Sequence, residues 1–143
     1  MYLIDKTYFR NKLQINGLYD GNNGLETKLD DYISIYVIDF LQKLLGVDFE
    51  ELKANITDGV LDTGAPQKWL DLINGKTYTK DGKTYIWKGL LYQNGSVKLS
   101  ILANVVYCNL IHDLVTGNGQ ISVDVKSSRM LLPRKNYIEV WNE

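Results

Sequence analysis

From Leu25 to Leu45 the chain carries neither Gly nor Pro, and its apolar residues recur at helical spacing. Leu25, Leu29, Tyr32, Ile33, Tyr36, Phe40 and Leu44 fall on one face at about 100° per residue. The second half adds Ile35, Val37, Ile38, Leu41 and Leu45, more than one stripe can hold, so this long helix should be covered on more than one side. Gly46 then supplies a C-terminal cap. A second long helix is expected within SVKLSILANVVYCNLIHDLVTG, residues 96–117. There Leu99, Leu102, Ala103, Val106, Tyr107, Leu110 and Leu114 share one face, and Val97, Ile101, Val105, Cys108 and Val115 form an opposite stripe. Two apolar stripes require two neighbours, which marks Ile35, Ile38, Val97, Ile101 and Val105 as candidate partner contacts.

Shorter elements lie between. A helix is predicted at about Phe49–Ile56, where Glu50 and Glu51 suit the positive end of the helix dipole. Another runs from Pro66 through Trp69, Leu70, Leu72 and Ile73 to Asn74-Gly75, with Asp62 or Thr63 as its cap. Of the 12 glycines, Gly17, Gly21, Gly24, Gly59, Gly75, Gly82, Gly95 and Gly119 each follow Asn or Asp, a pairing that tolerates left-handed backbone and marks turns.

In KTYTKDGKTYIWKGL, residues 76–90, the opening Lys76-Thr77-Tyr78 returns as Lys83-Thr84-Tyr85 beyond Asp81-Gly82. A two-residue turn at Asp81-Gly82 pairs Lys80 with Lys83, Thr79 with Thr84, Tyr78 with Tyr85 and Lys76 with Trp87. The echo is therefore two facing strands, with Tyr78, Tyr85 and Trp87 on the same face as Lys76, Lys80 and Lys83. Further on, Ile121, Val123 and Val125 alternate with Ser122, Asp124 and Lys126, the period of a strand or extended arm. RKNYIEVWNE fits a short helix or a strand equally. The expected architecture is mainly α: a small helical bundle with two long helices, one β-hairpin insertion at about 76–88 and an extended C-terminal arm at about 118–143. All of it belongs to one domain spanning 1–143.

Composition narrows the function classes. A chain of 143 residues with 45% hydrophobic and 23% charged content can bury a core of its own. Its 17 acidic and 16 basic residues leave a net charge of -1, which argues against a strongly cationic DNA clamp. Cys108 is the only cysteine, so one chain can form neither an internal disulfide nor a cysteine-based zinc site, and synthesis in a reducing cytosol is expected. MYLIDKTYFRNKL reaches charge at Asp5 without an apolar signal core, and no run approaches the roughly 20 apolar residues of a membrane span. The expectation is a soluble, unexported protein with no membrane partner.

Three stretches could carry chemistry. VLDTGA, Val60–Ala65, contains the Asp-Thr-Gly of retroviral-type aspartic proteases, which need two such aspartates sharing a proton across a dimer. Those enzymes are nearly all strand, and capping of the Pro66 helix explains the same letters, so a hydrolase using Asp62 is the alternative rather than the leading reading. His112 follows Cys108 by one helical turn, a spacing open to a nucleophile and its base, but Cys108 lies in an apolar stripe and no third orienting residue accompanies them. The acid clusters at Asp30-Asp31, Asp48-Glu50-Glu51 and Asp58-Asp62 lack calcium-loop spacing, and no phosphate-cradling glycine loop is present. No catalytic residue, cofactor or metal is expected. The hairpin could stack single-stranded bases on Tyr78, Tyr85 and Trp87 with lysines on phosphate, or bury those rings against a protein neighbour. Net charge near zero favours the neighbour.

The order of the pieces resembles a known family. A short N-terminal segment and a long helix ending in DFLQKLLG are followed by WLDLINGKTYTKDGKTYIWKGLLY, a second long helix and an extended arm. This is similar to the head-to-tail connector proteins of tailed bacteriophages, the adaptor or ring proteins of the neck, especially in phages of Bacteroides-like hosts. The most specific part is Leu72-Ile73-Asn74-Gly75, the Tyr78 to Tyr85 hairpin and Lys88-Gly89-Leu90. Such proteins continue into a further helix after a segment like YIEVWNE, where this sequence ends at Glu143. The resemblance implies a non-enzymatic virion subunit, made in the bacterial host cytoplasm, that joins a homo-oligomeric ring, commonly dodecameric. Its partners would be the portal protein and adjoining tail or neck proteins, with duplex DNA passing through the lumen without sequence-specific binding.

Overall fold

The structure, a computed structural model, describes residues 2–21 and 23–116. The chain divides into two compact units, residues 1–107 and 108–143. Among the described residues helix makes up 54% and strand 19%, the strands forming three small antiparallel sheets. The chain is thus mixed α/β, and the expected mainly helical bundle with a single hairpin is incorrect. Two further hairpins account for the difference.

In the first unit, single 3-10 turns at Lys6–Tyr8 and Asn11–Leu13 precede helix α1 (Asn23–Leu45). Along α1 the buried side chains are Leu25, Leu29, Ile33, Val37 and Leu41, a row at every fourth residue. The actual seam therefore takes in Val37 and Leu41, while Leu44, placed on the core face by periodicity, is 50% exposed. Gly46, at φ +56°, interrupts the α-helical geometry. A 3-10 turn (Gly46–Asp48) carries the chain directly into helix α2 (Phe49–Ala54), which buries Phe49 and Leu52.

Helix α2 stops short of Ile56 because Ile56 enters a sheet. Strands β1 (Ile56–Thr57) and β2 (Val60–Leu61) pair Ile56 with Leu61 and Thr57 with Val60. Asp58 and Gly59 between them both have positive φ, as a tight two-residue hairpin turn requires. The Leu3 amide donates to the Gly59 carbonyl at 2.9 Å and ties the N-terminal segment to this turn.

Helix α3 (Gln67–Asn74) buries Trp69 and Ile73. Its N-cap is Pro66, with no side-chain cap, so the expected capping by Asp62 or Thr63 does not occur. Instead the Asp62 carbonyl accepts from the Ala65 amide at 3.0 Å and closes a turn ahead of the helix.

After α3 come strands β3 (Lys76–Lys80) and β4 (Lys83–Trp87), then β5 (Leu91–Asn94) and β6 (Val97–Ser100). The last pair corrects the second long helix, whose start was expected at about residue 96. Gly95-Ser96 turns the chain, Tyr92 pairs with Leu99 and Gln93 with Lys98, and local helical periodicity yields to this ladder. Val97 and Leu99 consequently belong to a strand. Helix α4 (Ile101–Thr116) begins only after Ser100, a buried residue whose hydroxyl donates to the Leu90 carbonyl at 2.8 Å and accepts from the Leu102 amide at 3.1 Å.

The core of the first unit combines Phe9, Ile15 and Leu18 with the α1 row, Leu52, Trp69, Ile73, Leu90, Leu102 and Val106. No residue of β3 or β4 belongs to it. In the second unit, the described residues 108–116 are the end of α4, where Leu110 and Leu114 are buried. Cys108, assigned to an apolar stripe by its spacing, is exposed, as is His112. The expected arm at about 118–143 lies outside the described residues.

Candidate interaction site

The β3–β4 hairpin grows from the end of α3 through a crossing of two backbones. Gly75 and Gly89, at φ +97° and +88°, meet there. A Cβ on Gly75 would fall 2.5 Å from the Trp87 carbonyl oxygen, and one on Gly89 would fall 2.3 Å from that of Ile73. Only glycine permits this approach. The Leu72 carbonyl accepts two bonds at the crossing, from the Leu90 amide and from Trp87 Nε1, each 3.0 Å. The segments Leu72–Gly75 and Lys88–Leu90 are therefore the two halves of one hairpin root.

Asp71 anchors the root from α3. Its Oδ2 accepts from Lys76 Nζ at 2.7 Å and its Oδ1 from Gln67 Nε2 at 2.6 Å. The Lys76 hydrogen bond, followed by that of Gln67, holds the Asp71 carboxyl below the usual carboxylate range.

Beyond the root every residue from Lys76 to Ile86 is exposed. The register is the one read from sequence: Lys76 opposite Trp87, Tyr78 opposite Tyr85 and Lys80 opposite Lys83. Asp81 and Gly82 both adopt positive φ at the tip. The six expected contact residues of the hairpin thus share one face but have different duties. Trp87 is half-buried and bonded to α3, and Lys76 is paired with Asp71. Tyr78 and Tyr85 stack in mid-hairpin, with ring centroids 5.5 Å apart. Lys80 and Lys83 confront each other at the tip and have no ion-pair partner among the described residues. Two like charges directly opposite are unfavourable without a counter-charge. The reverse face carries Thr77, Thr79, Thr84 and Ile86, all β-branched, with Ile86 71% exposed.

The remaining expected contact residues are not gathered with these. Ile35 on α1 is 58% exposed and Ile38 is half-buried. Val97 lies on β6, while Ile101 and Val105 occupy the first turns of α4, so the stripe that joined all three in the sequence is broken at Ser100. Ile101 is exposed and Val105 half-buried.

Two residues not expected as partner contacts become notable beside Ile35. Asp31 and Asp39 lie one helical turn before and after it on α1. Asp39 pairs with Lys43 at 2.7 Å, whereas Asp31 has no ion pair among the described residues. Neighbouring Asp30 is raised above the usual carboxylate range by partial burial and by the charges of Glu26 and Asp31, with Lys6 opposing. The signal was available as i, i+4 spacing of acids around an apolar residue.

A groove of about 370 Å³ lies elsewhere in the first unit, lined by residues including Tyr8, Asp58, Ile73, Asn74, Leu91 and Lys98. Two of its charged groups, Asp5 and Lys98, are engaged internally. Lys98 Nζ donates to Thr7 Oγ1 at 2.7 Å and lies over the Tyr8 ring, while Asp5 accepts from the Thr7 amide at 2.8 Å. Burial, then the Asp5 charge, pushes the Tyr8 phenol up, keeping it neutral and unsuited to act as a base near neutral pH. Among the described residues no group of three or more His, Cys, Asp or Glu side chains could hold a metal, and no helix is long and apolar enough to cross a membrane. Asp62 follows β2 in a turn leading to α3, at the end of a two-residue strand. No protein-family model, curated protein or solved structure matches the chain.

Proposed function

We propose that this protein is a non-enzymatic structural subunit of a ring in the neck of a tailed bacteriophage, joining the portal and capsid to the tail around a DNA conduit. The observation that carries the reading is the β3–β4 hairpin. Its residues from Lys76 to Ile86 are all exposed and add nothing to the core, yet its root is fixed by Gly75, Gly89, Asp71 and Leu72. A rigidly mounted element that presents stacked aromatic rings, and two lysines without an ion pair among the described residues, suits contact with a neighbour better than it suits folding of its own chain. The similarity in order of elements to neck connectors supplies the specific setting. In that setting the partners are copies of itself in a ring, the portal protein and adjoining neck or tail proteins, and the net charge of -1 suits a lumen through which DNA slides.

The test is assembly. The purified protein is examined by light scattering and negative-stain microscopy, alone and with the portal protein encoded in the same genome. Ring-sized particles, or a monomer that becomes a ring on the portal, are expected. A monomer that never joins a portal complex contradicts the proposal.

A further inference from the structure

We propose that the β3–β4 hairpin of one copy docks on the exposed face of α1 in the next, with Lys80 and Lys83 at Asp31 and the Tyr78–Tyr85 pair over Ile35. This deepens the ring-subunit reading and rests on it.

The charge distribution identifies the occupant. Residues 20–62 carry ten acidic and three basic side chains, and residues 76–98 carry five basic and one acidic. The near-neutral chain therefore carries two oppositely charged stretches, net -7 and +4. Hairpin against hairpin, or helix against helix, would set like charges together. Hairpin against helix brings opposite charges together; made head to tail between successive copies, as a ring subunit requires, this contact is heterologous, the kind that gives rings when its rotation closes.

The spacing also fits. Successive same-face rows of a hairpin are about 7 Å apart, which separates the Lys80/Lys83 row from the Tyr78/Tyr85 row. Four residues of helix advance about 6 Å, which separates Asp31 from Ile35. A charged row and an apolar row can thus register together. Asp31, Lys80 and Lys83 are each without an ion pair among the described residues, so the contact is not already made within one copy. Ile35 and the two tyrosines remain 58%, 46% and 42% exposed for it.

The experiment is a charge swap followed by sedimentation. One variant carries Lys80→Glu with Lys83→Glu, the other Asp31→Lys with Asp39→Lys, and circular dichroism checks that both fold. Each variant alone should associate at least about tenfold more weakly than the wild type, a loss of about 1.4 kcal/mol. Mixing them should restore association, because each then offers the surface the other lacks. Wild-type association by either variant alone overturns the docking site while leaving self-assembly intact. If the lysine variant instead loses binding to a single-stranded oligonucleotide and still self-associates, the hairpin is a nucleic-acid element and the inference fails. A wild type that stays monomeric at about 1 mM, where only contacts of about 4 kcal/mol or weaker escape notice, overturns the docking and unassisted ring formation together.

Discussion

Tyr78 and Tyr85 stack across the β3–β4 ladder with ring planes 18° apart, and each still leaves more than two fifths of its surface open. The pair stiffens the hairpin from within while presenting an aromatic outer surface. A cross-strand aromatic pair contributes about 0.2–1 kcal/mol. Replacing both tyrosines with alanine should therefore lower global stability by less than about 1 kcal/mol in a denaturant titration. The same variant should lose self-association by at least about tenfold in sedimentation. Unchanged association would remove the tyrosines from the interface.

The two root glycines should behave unlike the glycine at the tip. Gly75→Ala and Gly89→Ala each drive a Cβ into a carbonyl oxygen at positive φ, and each should cost about 3 kcal/mol or more. Gly82 also has positive φ but meets nothing within 4 Å, so Gly82→Ala should cost only about 1–2 kcal/mol. Urea unfolding of the three variants checks the ranking. Equal losses at tip and root would show that the backbone crossing does not constrain the hairpin.

Ser100 is the switch from β6 to α4. Ser100→Ala removes the acceptor for the Leu102 and Ala103 amides and the donor to the Leu90 carbonyl, and should destabilise by about 1–2 kcal/mol. Ser100→Thr keeps the hydroxyl and should fall between the two. Thermal unfolding of the three proteins measures this order.

Sequence pattern revealed the hairpin register at Asp81-Gly82 completely, because a two-residue turn leaves one pairing. The helix α1 was legible from its unbroken periodicity, although Val37 and Leu41 replaced Leu44 in the seam, since a row at every fourth residue drifts around the helix. The hairpins at Asp58-Gly59 and Gly95-Ser96 were visible only as turns. Two-residue strands such as Ile56–Thr57 are too short to show a period, and VKLS continued smoothly into the helical spacing of Ile101 onward. What decided that segment was long-range: Lys98 reaching Thr7 and Ser100 reaching Leu90. The division of labour within the hairpin face was equally hidden. Lys76 and Lys80 are equivalent by alternation, and only the position of Asp71 makes one an anchor while the other has no ion pair among the described residues.

The Asp71–Lys76 anchor should be sensitive to acid. Asp71 has a lowered pKa in the fold, so its contribution is complete above the usual carboxylate range and is lost as pH falls through the folded value. Asp71→Asn should thus be less stable than the wild type near neutral pH, and the two stability curves should converge on the acid side of that range. Denaturant midpoints measured across pH test this. A constant gap down to the lowest pH would place the contribution of Asp71 outside its ionised contact with Lys76.

The most direct test of a ring subunit built by hairpin-on-helix contact is site-directed cross-linking. In a Cys108→Ser background, Lys83→Cys and Asp31→Cys are introduced together and separately, oxidised gently, and resolved on a non-reducing gel. Each single-cysteine protein can form at most a dimer. A head-to-tail contact predicts that the doubly substituted protein forms a ladder of successive oligomers ending in a closed species. Cross-linking of that protein no further than dimer would contradict the account.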